Sequence, residues 1–258
     1  TLQYTRLMGR QQFLEGMLSS ARLKPYMDAA KQDVDRAEQL YRFNSRLAGA
    51  LHVQLSHFEV ILRNTIDSAL QTWISSDDWT SDQIPANYVH TLIAGQLDRA
   101  RSFATQASNE RRPGHPRAGQ VTHDDVVTQL SLGAWSTLLG ESAACAASST
   151  KKLAAEAVWV HALSAAFPYQ RSNDMQADRE RLGKRVQRIT DLRNRVSHQE
   201  NLLEVKVPRR LNDMIAVLAS INPAYPGWFM SGSKLRAIAK SDPRAGWERG
   251  HSRSLAWK

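Results

Sequence analysis

The sequence predicts an all-α protein, a bundle of long antiparallel helices with a basic C-terminal extension. Three observations carry that expectation. Apolar residues recur at helical spacing over 28–73: Leu40, Phe43, Leu47, Leu51, Leu55, Phe58, Ile61, Leu62, Ile66 and Leu70. Helix-start signals precede the later apolar runs. And no segment alternates apolar and polar residues as a strand would, nor is there an internal repeat or a low-complexity tract.

The first long run contains no proline, so it is one helix or two with a bend near Gly49. "SSDDWTSDQIP" ends it with polar residues and Pro85, and a shorter helix follows from about Ala86 to Ala107. "SNERRPGHPRAGQ", 108–120, reads as a loop. "THDD", 122–125, has the spacing of a capped helix start, and the helix it opens carries Val126, Val127, Leu130, Leu132, Trp135 and Leu138. "SST", 148–150, starts another, which "FP" at 167–168 stops. A further helix spans roughly 175–200. Pro208 suits the first turn of the next, which carries Leu211, Met214, Ile215 and Leu218 and ends before "NP" at 222–223. The expected organisation is a single domain over 1–258, with a core at about 28–222 and the basic extension at 223–258.

The chain has 258 residues, 42% hydrophobic and 23% charged, enough to bury a real core. No apolar stretch of about 18 residues exists, so no membrane span or membrane partner is expected. The opening "TLQYTRLMGRQQFLEGM" lacks the compact apolar core of a secretory leader. One cysteine, Cys145, makes neither an intrachain disulfide nor a zinc site, and it is compatible with a reducing cytoplasm, the expected compartment. Net charge is +9, which favours a polyanionic partner, with nucleic acid first. The basic residues gather in 179–210, which includes Arg179, Lys184, Arg185, Arg188, Arg195, Arg209 and Arg210, and again after 233.

One helix asks for explanation. On a wheel of about 100° per residue, Leu182, Val186, Ile189, Leu192 and Val196 form the core seam. Asn194 and His198 fall at about 160° and 200° from Val196, opposite that seam, and Arg193 sits on the flank. Polar residues opposite an apolar seam are what any surface helix shows. Two features argue for more: Asn inside a helix has poor propensity, and His exchanges protons near neutral pH. One such face is a poor catalyst, but a two-fold dimer places two histidines and two arginines in one cleft. One imidazole can then take the proton of an attacking group while the other protonates the leaving group, and the arginines hold the phosphate. The nucleophile that suits this arrangement is the 2′-hydroxyl of RNA, with no metal and no cofactor required.

The segment "RNRVSH", Arg193 to His198, resembles the R-x4-6-H motif of HEPN domains, including the Asn that many of them carry after Arg. "YRFNSRLAGALHVQLSHFEVILRNTI" (41–66), "VVTQLSLGAWSTLLG" (126–140), "VWVHALSAAFP" (158–168) and "RERLGKRVQRITDLRNRVSHQE" (179–200) resemble, in order, segments of the Abi-like abortive-infection family. The resemblance implies a HEPN-like bundle, a homodimer, and metal-independent RNA cleavage in phage defence. It also implies Arg193 and His198 as the catalytic pair with Asn194 accessory, and a partner that restrains the toxin, such as a structured non-coding RNA or a protein. The family commonly reads H-H-E-P where this chain has His198-Gln199-Glu200-Asn201, so the pair is kept while the second His and the helix-ending Pro are lost.

The expected RNA-contacting cations are Lys184, Arg185, Arg188, Arg195, Arg209 and Arg210. Glu59 and Arg63, at i and i+4, are expected to pair and to brace the active helix. His123, Asp124 and Asp125 read as a capped helix start rather than a metal site. Trp228, Trp247 and Trp257 sit among basic residues and either stack on RNA bases or fold back on the bundle. Signatures of NTPases, dinucleotide enzymes, zinc proteases and α/β-hydrolases are missing. The alternative function is a non-catalytic RNA-binding helical dimer that uses Arg193 and His198 only for contact.

Overall fold

A computed structural model describes residues 2–81, 87–112, 114–170 and 172–247. Pro85, Ala86, Trp257 and the basic residues after 247 lie outside these. The described residues form helices and connecting turns, with no strand among them. No described helix is long and apolar enough to cross a membrane.

In chain order the helices are α1 (Leu2–Leu18), α2 (Ser20–Ala29), α3 (Val34–Ile74), α4 (Tyr88–Asn109), α5 (His123–Gln129) and α6 (Leu132–Leu138). They continue with α7 (Ala143–Ala146), α8 (Ser149–Val158), α9 (Ser164–Ala166), α10 (Met175–Ser197), α11 (Val207–Ile221), α12 (Tyr225–Met230) and α13 (Leu235–Lys240). A π-helical turn, Trp159–Leu163, joins α8 to α9.

The long apolar run is one helix of 41 residues, unbroken at Gly49. A surface glycine costs a helix about 1 kcal/mol. The buried stripe Leu40, Phe43, Leu47, Leu51, Leu55, Phe58, Leu62, Ile66 and Leu70 outweighs that many times over. The sequence reading made 123–138 one helix; the structure divides it, with Leu130 in extended conformation (ψ 128) between α5 and α6. Leu130 and Leu132 are both buried. In an unbroken helix residues two apart point to nearly opposite sides, so one core could not take both. The capping box is as expected. Thr122 accepts from the Asp125 amide, and the Asp125 carboxylate accepts from the Thr122 amide. Ser148 caps α8, accepting from the Lys151 amide. Helices α1, α2, α12 and α13 were not legible beforehand; α2 even carries Pro25 inside it.

The structure groups into two compact units. The first takes the described residues of Thr1–Gln54, Asn194–Pro208 and Gly232–Lys258. Its core is Leu14, Leu23, Tyr26, Met27, Val34, Leu40 and their neighbours, closed by Leu203 and by the half-buried Trp247. The second takes Leu55–Arg193 and Arg209–Ser231. Trp79 and Trp135 meet edge to face inside it, with ring centroids 6.5 Å apart. Residues 223–231 belong to the second unit and the described residues after 231 to the first.

Candidate functional site

The core seam of α10 is as the wheel reading gave it: Leu182, Val186, Ile189, Leu192 and Val196 are all buried. Asn194 and His198 are exposed and Arg193 is half-buried. Arg193 belongs to the second unit, where its Nε lies 3.7 Å from Glu59 Oε2 on α3. Glu59 therefore reaches across to α10 instead of pairing with Arg63, which donates to the neighbouring Asn64 Oδ1 at 3.4 Å. The bracing role expected of the Glu59–Arg63 pair falls to Glu59 alone.

How α10 ends without a proline is a local matter within the first unit. His198 is its C-cap, and its amide donates to Asn194 O at 2.9 Å. Gln199 takes the left-handed conformation, φ 55. Its amide donates to Val196 O (3.1 Å) and that of Glu200 to Arg195 O (2.9 Å). This pair of bonds is the Schellman motif, which usually has glycine at the position of Gln199. The turn is then pinned from three places. Arg22 donates to Gln199 O at 2.7 Å. The buried Asn44 amide spans the turn, accepting from the Leu202 amide at 2.7 Å and donating to Glu200 O at 3.5 Å. Arg244 donates to Leu203 O at 2.8 Å. Backbone bonds, the buried Asn44 and the two arginines thus fix the turn that follows His198 while its imidazole stays in solvent.

A left-handed non-glycine residue costs about 1–2 kcal/mol. Glycine here would recover that and give back about 0.4–1 kcal/mol through a freer unfolded chain. Gln199→Gly is expected to stabilise the protein by about 0.5–1 kcal/mol, read as a higher denaturant midpoint at unchanged m-value. A lowered midpoint would show that the Gln199 side chain itself holds the turn.

The expected RNA-binding cations are distributed unevenly. Arg188 forks onto Asp213, Nε–Oδ2 3.1 Å and Nη2–Oδ1 2.6 Å, and Arg210 reaches the same carboxylate at 3.0 Å. The Asp213 hydrogen bond raises the Arg188 pKa, and the pair ties α10 to α11. Arg195 pairs with Glu200 and Lys184 with Glu180, each at 3.2 Å. These exposed pairs are worth about 0–1 kcal/mol, so a phosphate can displace them. Arg185 donates to Gln170 at 3.5 Å, and Arg209 is exposed. Arg179, counted by sequence with the basic face, is buried and donates to Leu139 O at 3.0 Å.

The aromatic residues divide as well. Trp247 folds back, with the Arg36 guanidinium 5.1 Å from its ring centre. Trp228 remains 62% exposed. Trp257 lies outside the described residues.

A second polar cluster, which the sequence did not reveal, lies in the second unit around His123. Its side chain is 9% exposed. Nε2 lies 2.8 Å from Asp67 Oδ1, which also accepts from Trp79 Nε1 at 2.7 Å. Nδ1 lies 3.2 Å from Asp78 Oδ1 and 3.3 Å from Thr80 Oγ1. Burial disfavours the charge on this imidazole, but hydrogen bonds and attraction from Asp67 and then Asp78 outweigh it, and its pKa is raised. Beside it, burial of Asp125 opposes its charge. The Thr122 bonds, Arg117 and Arg111 reverse that and hold its carboxyl well below the usual range. No group of His, Cys, Asp and Glu among the described residues is arranged to hold a metal ion.

No protein-family description, curated protein or solved structure matches this chain.

Proposed function

We propose that this chain is a metal-independent endoribonuclease of the HEPN type, resembling the Abi-like proteins and acting as a toxin-type phage-defence protein in the cytoplasm. The observation that carries the reading is the end of α10. Asn194 and His198 stand exposed on its polar face, on a backbone held by the Asn44, Arg22 and Arg244 bonds, with Arg193 on the flank and 34% of its side chain exposed. A homodimer on a two-fold axis brings two such faces together. One His198 accepts the proton of the ribose 2′-hydroxyl as its oxygen attacks the adjacent phosphorus. The other copy, protonated, gives its proton to the departing 5′-oxygen. The P–O5′ bond breaks as the P–O2′ bond forms. The two Arg193 guanidiniums stabilise the charge on the five-coordinate phosphorus. Asn194 orients the imidazole or a phosphate oxygen. The net charge of +9 suits RNA as substrate and as a restraining partner.

The products expected are a 2′,3′-cyclic phosphate and a 5′-hydroxyl, formed in EDTA. A single 2′-deoxy residue at a cut linkage should abolish cutting there. Persistent cutting at that residue, or loss of all cutting in EDTA, would refute the mechanism. Nucleic acid that co-purifies, seen as a high 260/280 nm absorbance ratio, is removed first because a bound RNA can silence the enzyme.

The Arg193–Glu59 ion pair favours a second reading. In it Arg193 is a structural residue, and the face contacts RNA or a partner protein without cleaving. Catalysis with intact His198 separates the two.

A further inference from the structure

Within the second unit, α12 stands over one face of α3 and leaves a groove of about 620 Å³ between them, lined by Ile61, Asn64, Thr65, Ser68, Tyr225 and Trp228. From its geometry we infer that this groove is a stacking subsite for a nucleobase of single-stranded RNA. The inference rests on the ribonuclease reading for the identity of the polymer.

Tyr225 and Trp228 are i and i+3 on α12, so they share one face. They are 37% and 62% exposed. The indole is braced by the His57 ring, 5.4 Å between centroids at a tilt of 54°, and so offers a fixed platform. The opposite wall is polar in a particular way. Asn64 carries a donor and an acceptor side by side, as a base edge requires. The Thr65 hydroxyl donates to Ile61 O at 2.8 Å and has lone pairs left to accept. Ser68 is exposed and can do either. Arg63 donates to Asn64 Oδ1 from the edge of the groove and can meet a phosphate there. No carboxylate lines the groove. An acidic peptide would call for several cations. Two aromatic rings facing an amide and hydroxyls, in a chain of net charge +9, suit a planar base on an anionic backbone. The volume is within the range of small-molecule sites.

Within its unit the groove is set apart from Arg193. Counting about 100° per residue along α3, Asn64 and Ser68 fall about 140° and 180° around the helix from Glu59, the partner of Arg193. A base held here anchors a nucleotide away from the Arg193 guanidinium. Its loss should therefore weaken binding and leave the chemical step alone.

The test uses the full chain and two fluorescent 2′-O-methyl oligoribonucleotides of equal length, one with bases and one abasic, neither cleavable through a 2′-hydroxyl. Wild type should bind the base-bearing oligomer the more tightly. Trp228→Ala should weaken that binding roughly tenfold or more, the effect of losing one stacked base, and leave the abasic oligomer unchanged. Trp228→Phe should retain most of it. The single-turnover cleavage rate at saturating RNA should be the same in all three proteins. Equal affinity of wild type for both oligomers, or equal weakening of both by Trp228→Ala, overturns the groove while leaving the ribonuclease reading standing if cleavage persists. If neither oligomer binds and natural RNA is not cut, both readings fall together.

Discussion

Replacing His198 with alanine should lower the single-turnover rate of RNA cleavage by about a hundred- to ten-thousandfold, the contribution of a positioned general acid or base. In the proposed dimer one substitution removes both imidazoles, so the upper part of that range is expected. The fold should hardly notice. The side chain is exposed, and the bond that makes residue 198 the C-cap of α10 comes from its backbone amide, which alanine retains. A stability change within about 0.5 kcal/mol is expected, as for other surface substitutions away from special features. RNA affinity and dimer formation should likewise be unchanged. This is a cleaner test than Arg193→Ala, which also strands the half-buried Glu59 carboxylate. Cleavage by His198→Ala at the wild-type rate would dispose of the enzyme reading and leave the binding module.

Replacing His123 with alanine should have the largest effect on stability, a loss of about 3 kcal/mol near pH 6. The substitution removes one partner of a buried hydrogen-bonded ion pair and, among the described residues, leaves Asp67 the Trp79 indole bond. Breaking such pairs costs about 3–5 kcal/mol. The lower end applies because the Asp78 side chain is half exposed and adds little. The groups facing the imidazole are Asp67 on α3, Asp78 and Thr80 in the turn that follows it, and Trp79 edge-on. Arg101 of α4 holds Thr80 O at 3.0 Å. The pH dependence follows from the raised pKa of His123. A base whose folded pKa is raised binds its proton more tightly in the native state. Its contribution is therefore complete below the unfolded value of about 6.5 and declines as pH rises through the folded value. The stability difference between wild type and His123→Ala, from denaturant melts at a series of pH values, should be largest in mild acid and shrink above neutrality. A difference that stays constant from mild acid to mild alkali would mean that the imidazole is held neutral.

Much of the fold was legible because it follows from short-range rules. Helical spacing marked α3 and the seam of α10, and both stripes are buried apart from the half-buried Ile61. Thr122 with Asp125, and Ser148 before α8, are caps that act within three residues of themselves. Pro208 lies in the first turn of α11, where its missing amide costs nothing. The exposure of Asn194 and His198 came from the same wheel.

What the sequence settled by itself was therefore the all-α class, the apolar stripes of α3 and α10, and which polar residues of α10 stand opposite its seam. Periodicity and capping are properties of neighbours on one helix. Tertiary structure alone decided that Glu59 meets Arg193, that Asn44 spans a turn more than 150 positions away, and that Asp67 and Asp78 enclose His123. It also decided that Trp247 packs away while Trp228 stays open. Each of these is a pairing between distant segments. A side chain's own sequence context carries no information about which distant partner compensates its burial, so these pairings appear only once the helices are packed.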